Sequence, residues 1–162
     1  MEKVKFYQDI TIAIVLYEED FDLIYKTLDK LRSFKKIIID NANNFDLKKK
    51  IQSIFSIENY ILNIKNSGCS AGYNQAAKLC KTKYLLMLGP DCIISETNIL
   101  KLTDSLSKDP SCFLVSPTSY DENMNKMTYS GGAFPENLSR DIVLNLSGNT
   151  CVESTLGACM LV

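Results

Sequence analysis

Residues 10–17 read Ile-Thr-Ile-Ala-Ile-Val-Leu-Tyr, an almost unbroken apolar run rich in β-branched residues. A strand with one wet face alternates apolar and polar residues. A strand that does not alternate needs cover on both faces, the usual state inside a parallel sheet sandwiched by helices. The next segments of the chain supply that cover. Glu18-Glu19-Asp20 places acidic residues where a helix starts, and Phe21, Ile24, Leu28 and Leu31 recur at helical spacing to about Ser33. Ile37-Ile38-Ile39 is a second buried strand, ending in the polar turn Asp40-Asn41-Ala42-Asn43-Asn44. Asp46 is a fitting N-cap for a helix whose face is Leu47, Ile51, Ile54 and Phe55. Tyr60 to Ile64 reads as a third strand, Gln75 to Cys80 as helix-forming, and Tyr84 to Leu88 as a fourth strand.

Gly89-Pro90-Asp91 breaks the fourth strand, and Cys92-Ile93-Ile94 continues it briefly. Ser95-Glu96-Thr97 caps a helix with Ile99, Leu102 and Leu106 on its apolar side, and Asp109-Pro110 stops it. Cys112 to Ser116 and Gly157 to Val162 are further strand candidates. Residues 118–150, rich in Asn, Ser, Gly and Thr, predict loops with one or two short strands. Strands alternating with helices predict one α/β domain over 1–162, with a mostly parallel sheet flanked by helices.

Composition narrows the chemistry. The 162 residues carry a net charge of −1 and only two arginines, Arg32 and Arg140, which does not favour a nucleic-acid partner. There is no histidine, so His bases, Cys-His nucleophile pairs and His metal ligands are excluded. Cys69, Cys80, Cys92, Cys112, Cys151 and Cys159 show no C-x-x-C spacing and read as reduced thiols of a cytoplasmic protein. A metal would be held mainly by oxygen, which points to Mg or Mn. No apolar run approaches the roughly 20 residues of a membrane span, which leaves a peripheral membrane contact open.

In a parallel α/β sheet, ligands bind beyond the carboxyl ends of the strands. Four features fall at such ends. Tyr17 offers an apolar ring with a wet hydroxyl, either to a nucleobase or to the core. Asp40 is suited to accept from a base or ribose, or equally to cap its own turn. The stretch Asn66-Ser67-Gly68-Cys69-Ser70-Ala71-Gly72-Tyr73-Asn74 is neither a P-loop nor a G-x-G-x-x-G fingerprint; it reads as a bend around a ribose and diphosphate, or as a tight strand-to-helix turn. Asp91 offers one carboxylate to a divalent cation that a diphosphate would share, or is a plain turn residue. Together they suggest a sugar-nucleotide site.

In series these pieces resemble the inverting glycosyltransferases of family 2, in particular their rhamnosyltransferase-like branch with the GT-A fold. The resemblance rests on Leu16-Tyr17, Ile39-Asp40-Asn41-Ala42-Asn43, Asn66 through Asn74, Leu88-Gly89-Pro90-Asp91 and Gly157-Ala158-Cys159-Met160-Leu161. It implies transfer of a sugar from a nucleoside-diphosphate sugar to a glycan or lipid-linked acceptor, with inversion. It implies that Leu16, Tyr17, Asp40, Asn41, Asn66, Gly68, Gly72 and Asn74 line the donor nucleotide. Asp91 stands where the family places a metal-binding Asp, with Mg or Mn as cofactor.

The chain departs from the family pattern in places. Gly89 replaces the usual Asn or Asp, and Leu16 replaces Asn. The family's Gly-Gly-Phe-Asp-Glu segment and the Glu-Asp pair that supplies the base would lie beyond Val162, so the chain reads as the front portion of such an enzyme. Two other functions are consistent with the residues. One is a non-catalytic nucleotide-sugar-binding subunit that pairs through its last strand. The other is a nucleotidyltransferase, disfavoured because Glu18-Glu19-Asp20 after the first strand would repel phosphates.

Overall fold

A computed structural model describes residues 7–121, 127–129, 149, 155 and 157–162. In chain order the elements are β1 (Ile10–Leu16), α1 (Phe21–Asp29), β2 (Lys35–Asp40), α2 (Phe45–Gln52), β3 (Asn59–Leu62), α3 (Cys69–Leu79), β4 (Tyr84–Leu88), α4 (Glu96–Lys108), β5 (Ser119–Tyr120), β6 (Met127–Tyr129) and β7 (Cys159–Leu161). One sheet runs β3-β2-β1-β4-β7, its first four strands mutually parallel and β7 antiparallel to β4. Strands β5 and β6 make a separate antiparallel pair inside the loop-rich region.

The apolar run that opens the chain is the middle strand, and every residue from Ile10 to Leu16 is buried. Its two faces serve two cores. Ile10, Ile12, Ile14 and Leu16 pack with Ile24 and Leu28 of α1, Leu47 and Ile51 of α2, and Ile99 of α4. Ala13 and Val15 pack with Ile37 and Ile39 of β2 and with Tyr73 and Ala76 of α3. Each fully buried aliphatic side chain here is worth roughly 1.5–3 kcal/mol of transfer free energy. The covering of both faces is why β1 needs no polar alternation.

Several local expectations are corrected. The N-cap of α2 is Asn44, whose side chain accepts from Leu47 N, and Asp46 lies inside the first turn. Ile54 is exposed because α2 ends at Gln52, before the position reaches the buried face. Strand β3 stops at Leu62 and leaves Ile64 at 95% exposure. Cys92 to Ile94 do not extend β4, because the turn at Gly89 redirects the chain; Ile94 is buried but Ile93 is not. The expected strand over Cys112 to Ser116 is a single bridge, Val115 to Leu161, with Phe113 at 84% exposure. Tyr129 ends β6, while Ser130-Gly131-Gly132, most of the expected 118–150 loops and Cys151 lie outside the described residues.

Candidate functional site

Strand register places the expected site residues on one sheet edge. Leu16 of β1 faces Asp40 of β2, which faces Leu62 of β3. Tyr17, Asn41 and Asn63 therefore each stand one residue past a common row. On the other side Ile14 faces Leu88 of β4 and Ile38 of β2. Asp40 and the Gly89-Pro90-Asp91 turn thus both lie just beyond that second row. With β1 between them, β2 and β4 are about 10 Å apart, two inter-strand spacings.

Asp40 is wholly buried. Its Oδ1 accepts from Ala42 N at 2.8 Å, and its Oδ2 accepts from Asn44 N at 3.3 Å and from the Tyr60 hydroxyl at 3.1 Å. The carboxylate closes its own turn and holds a core tyrosine, the capping alternative that its Asn-rich neighbours suggested. Burial first, then the Asp40 charge, raises the Tyr60 hydroxyl far above its usual range, so it remains a donor. Leu16 is also turned into the core, and its carbonyl accepts from Asn41 N at 2.8 Å. Tyr17, by contrast, is 48% exposed rather than a core residue, with its N–H donating to the Glu19 carboxylate.

The nine-residue stretch from Asn66 is mostly helix. Helix α3 begins at Cys69, earlier than the sequence suggests, and only residues 66–68 form the turn. Gly68 sits at φ 87 and ψ 164, a conformation essentially confined to glycine, and its N–H donates to Asn66 Oδ1 at 2.8 Å. Gly72 is buried in α3, where a Cβ would lie 2.8 Å from both Val15 methyls. Its bareness lets α3 lie against β1. Asn66 and Asn74 are exposed.

Behind the turn is a set of amides of which the sequence motifs supply only Asn41. Asn41 Nδ2 donates to Gly68 O at 3.3 Å, and Asn63 Nδ2 donates to Asn41 Oδ1 at 2.8 Å and to Gln75 Oε1 at 3.0 Å. Asn41 is 4% exposed. The clue in the sequence is the run of amides at the ends of two apolar strands and one helical turn beyond a glycine.

Asp91 is exposed on a turn that one internal hydrogen bond closes and two other parts of the fold anchor. Gly89 N donates to Ala158 O at 2.7 Å, Cys92 N donates to Gly89 O at 3.1 Å, and the buried Thr27 hydroxyl of α1 donates to Pro90 O at 2.8 Å. Thr27 is the one hydroxyl among the buried residues of α1, which also include Ile24 and Leu28. A Cβ on Gly89 would meet Asp91 Oδ1 at 2.9 Å and Cys92 Sγ at 3.2 Å. The space that a second acidic side chain would use is therefore partly filled by Asp91 itself. Burial first, then the Asp91 charge, pushes the Cys92 thiol up to about 11. It stays protonated and donates to Asp91 Oδ1 at 3.7 Å.

Among the described residues no group of three Cys, Asp or Glu side chains is arranged to hold a metal. One exposed carboxylate still fits a hard divalent cation that takes most of its oxygens from phosphate and water. Two concavities, of about 530 and 400 Å³, lie elsewhere, one beside Phe21 and Lys50 and the other beside Arg32 and Glu58; neither includes Asp40 or Asp91. Cys69, Cys80, Cys92, Cys112 and Cys159 are free thiols. No helix among the described residues is long and apolar enough to cross a membrane.

Solved structures share this architecture. A mannosyltransferase from Pyrobaculum calidifontis, in complex with GDP-Man and Mn2+, aligns with a TM-score of 0.56 at 15% identity, covering 70% of this chain and 36% of that one. Residues 1–349 of S. aureus TarS in complex with UDP-GlcNAc align with a TM-score of 0.52 at 14% identity, covering 62% of this chain and 32% of that one. The chain thus spans about a third of the length of either structure. At this identity the likeness establishes the GT-A fold. No curated protein matches by sequence. The profile described as Glycosyl transferase family 2 does match, over residues 11–157, and the chain belongs to that family.

Proposed function

We propose that this chain is the nucleotide-binding part of an inverting glycosyltransferase that moves a sugar from a nucleoside-diphosphate sugar to a glycan or lipid-linked acceptor. The observation that carries the reading is the shared edge: Tyr17, Asn41, the Asn66–Gly68 turn and Asp91 all come after carboxyl ends of parallel strands. The GDP-Man and UDP-GlcNAc held by the two similar structures support a nucleotide-sugar donor.

On this reading the exposed Tyr17 ring lies against the base. Asn41 and Asn66 hold the backbone of the ribose-facing turn, and Asp40 stiffens it from below rather than touching the base. Among the described residues Gly68 leaves open space where a side chain would project, since none of their atoms lies within 4 Å of its ideal Cβ. Asp91 is the residue that would hold Mg or Mn. When bound, the cation neutralises charge on the leaving diphosphate. The acceptor's hydroxyl requires a base, a role that is assigned to none of these residues. The same surface on a non-catalytic binding subunit would hold the nucleotide without turnover. Pairing of two copies through β7 is compatible with its edge position, although Val115 already takes the bonds of Leu161 on that side.

The test is a panel of nucleotide sugars and nucleoside diphosphates read by melting shift with Mn, on the wild type and on Asp91→Ala. We expect a metal-dependent stabilisation that Asp91→Ala abolishes. Equal shifts in both proteins would remove Asp91 from the metal role, and preference for a nucleoside triphosphate would favour nucleotidyl transfer. Slow donor hydrolysis would separate an enzyme from a binding subunit.

A further inference from the structure

Three amide side chains from three separate elements meet beneath the Asn66–Gly68 turn. Asn41 comes directly after β2, Asn63 directly after β3, and Gln75 lies in the second turn of α3. Their roles are directional. Asn63 spends both Nδ2 hydrogens, on Asn41 Oδ1 at 2.8 Å and Gln75 Oε1 at 3.0 Å. Asn41 accepts that bond and donates onward to Gly68 O at 3.3 Å. Gly68 O also accepts from Gly72 N at 3.1 Å, so one carbonyl joins the amide chain to the first turn of α3. Asn63 N donates to Asp40 O at 2.8 Å, which fixes its backbone to the end of β2.

Gly68 itself has no side chain to resist motion, and its conformation is one that other residues avoid. That geometry is held by the Asx bond of Asn66, by the Asn41 bond to the Gly68 carbonyl and by the bond from Gly72 N to the same carbonyl. Amide networks such as this half-buried one are rigid when every member is paired and costly when one is reversed. We infer that Asn63 and Gln75 are positioning residues for the nucleoside diphosphate, acting through Asn41 to set the Asn66–Gly68 turn. The inference rests on the proposed nucleotide-binding function and adds residues that the motif does not contain.

Direction of donation makes it testable. Gln75 serves only as an acceptor, so Gln75→Glu preserves the bond whereas Gln75→Met removes it. Asn63 serves as a double donor, so Asn63→Asp sets a carboxylate against two carbonyl oxygens. Asn41→Asp keeps the bond from Asn63 but turns an oxygen toward Gly68 O. The experiment measures UDP and GDP affinity by calorimetry with Mn, and amide hydrogen exchange at Gly72 without nucleotide, on the wild type and these four variants. We expect Asn41→Asp, Asn63→Asp and Gln75→Met each to weaken binding about five- to tenfold and to speed exchange at Gly72, with Gln75→Glu within about twofold of the wild type in both. Gln75→Glu behaving like Gln75→Met would overturn the inference, since loss of general stability does not distinguish an acceptor from a donor. So would unaltered exchange at Gly72 in Asn63→Asp. A wild type that binds neither nucleotide would sink the functional reading and the nucleotide role of these residues with it, while the exchange arm, which needs no ligand, would still decide whether the amides set the turn.

Discussion

Gly72 of α3 and Val15 of β1 are in such close apposition that a Cβ on the glycine would stand 2.8 Å from each valine methyl. Real Cβ atoms do not approach that closely, so either the helix or the strand must shift. Gly72→Ala is expected to cost about 1–3 kcal/mol in denaturant unfolding. Adding Val15→Ala should recover part of it, because the two substitutions share one contact and will not be additive. Additive losses would mean that the clash is not the cause.

The Asp40 carboxylate and the Tyr60 hydroxyl form a second linked pair. Asp40→Asn replaces one acceptor oxygen with a donor among three incoming donors, and should destabilise by about 1–3 kcal/mol. Tyr60→Phe leaves Asp40 with its two backbone donors and should cost less. A double-mutant cycle in urea is expected to show coupling between them.

Thr27 holds the Asp91 turn from the opposite element through Pro90 O. Thr27→Val keeps shape but removes the hydroxyl, leaving the half-buried Pro90 carbonyl short of a partner. About 1 kcal/mol of stability should go. If Asp91 holds the cation, apparent Mn affinity should fall with it, read by the metal dependence of nucleotide binding.

Lys36 is 1% exposed, and its Nζ donates to the carbonyls of Leu31 at 2.9 Å, Arg32 at 3.3 Å and Phe34 at 2.6 Å. Burial first, then the nearby Arg32 charge, lowers its pKa from 10.5 to about 8. Between those values the unfolded chain binds the extra proton, so this group's contribution to stability grows as pH rises from 8 to 10.5 and is lost as pH falls through 8. The stability difference between wild type and Lys36→Met, measured by urea titration from about pH 7 to 10, should move in favour of the wild type.

Cys159 titrates with the opposite sense. Burial, with a smaller effect of Cys92, pushes its thiol from 9.0 up to about 12. The unfolded thiol ionises first, so stability falls above pH 9. Alkylation and mass spectrometry at about pH 8 should label the exposed Cys69 quickly and Cys159 only after unfolding.

Much of this architecture was legible because apolar runs of strand length and apolar residues at helical spacing report burial directly. The β1 run could be read as a two-faced strand without any partner in view. Placement of Asp40 and Asp91 at strand ends was equally legible, since each comes after an uninterrupted apolar stretch. What the sequence hid were relationships across the fold. The early start of α3 was masked by Gly68 and Gly72, whose glycine character suggested loop. One is a cap conformation and the other a packing contact with Val15. The buried Asp40 carboxylate accepts from Tyr60, twenty positions away. Cys112 to Ser116 looked like strand because its apolar residues are consecutive, yet only Val115 forms a strand bridge, and burial of the rest does not follow from hydrophobicity alone.

The antiparallel seating of β7 beside β4 has a consequence for synthesis. A ribosome releases the four parallel strands and their helices well before residues 159–161, so the outer edge of β4 waits with its amides unmatched. Leu86 to Leu88 then present a sticky border to neighbouring nascent chains. Chaperone dependence should be traceable to that interval, and a charged substitution on β7 should raise insoluble yield more than its effect on the finished fold would suggest.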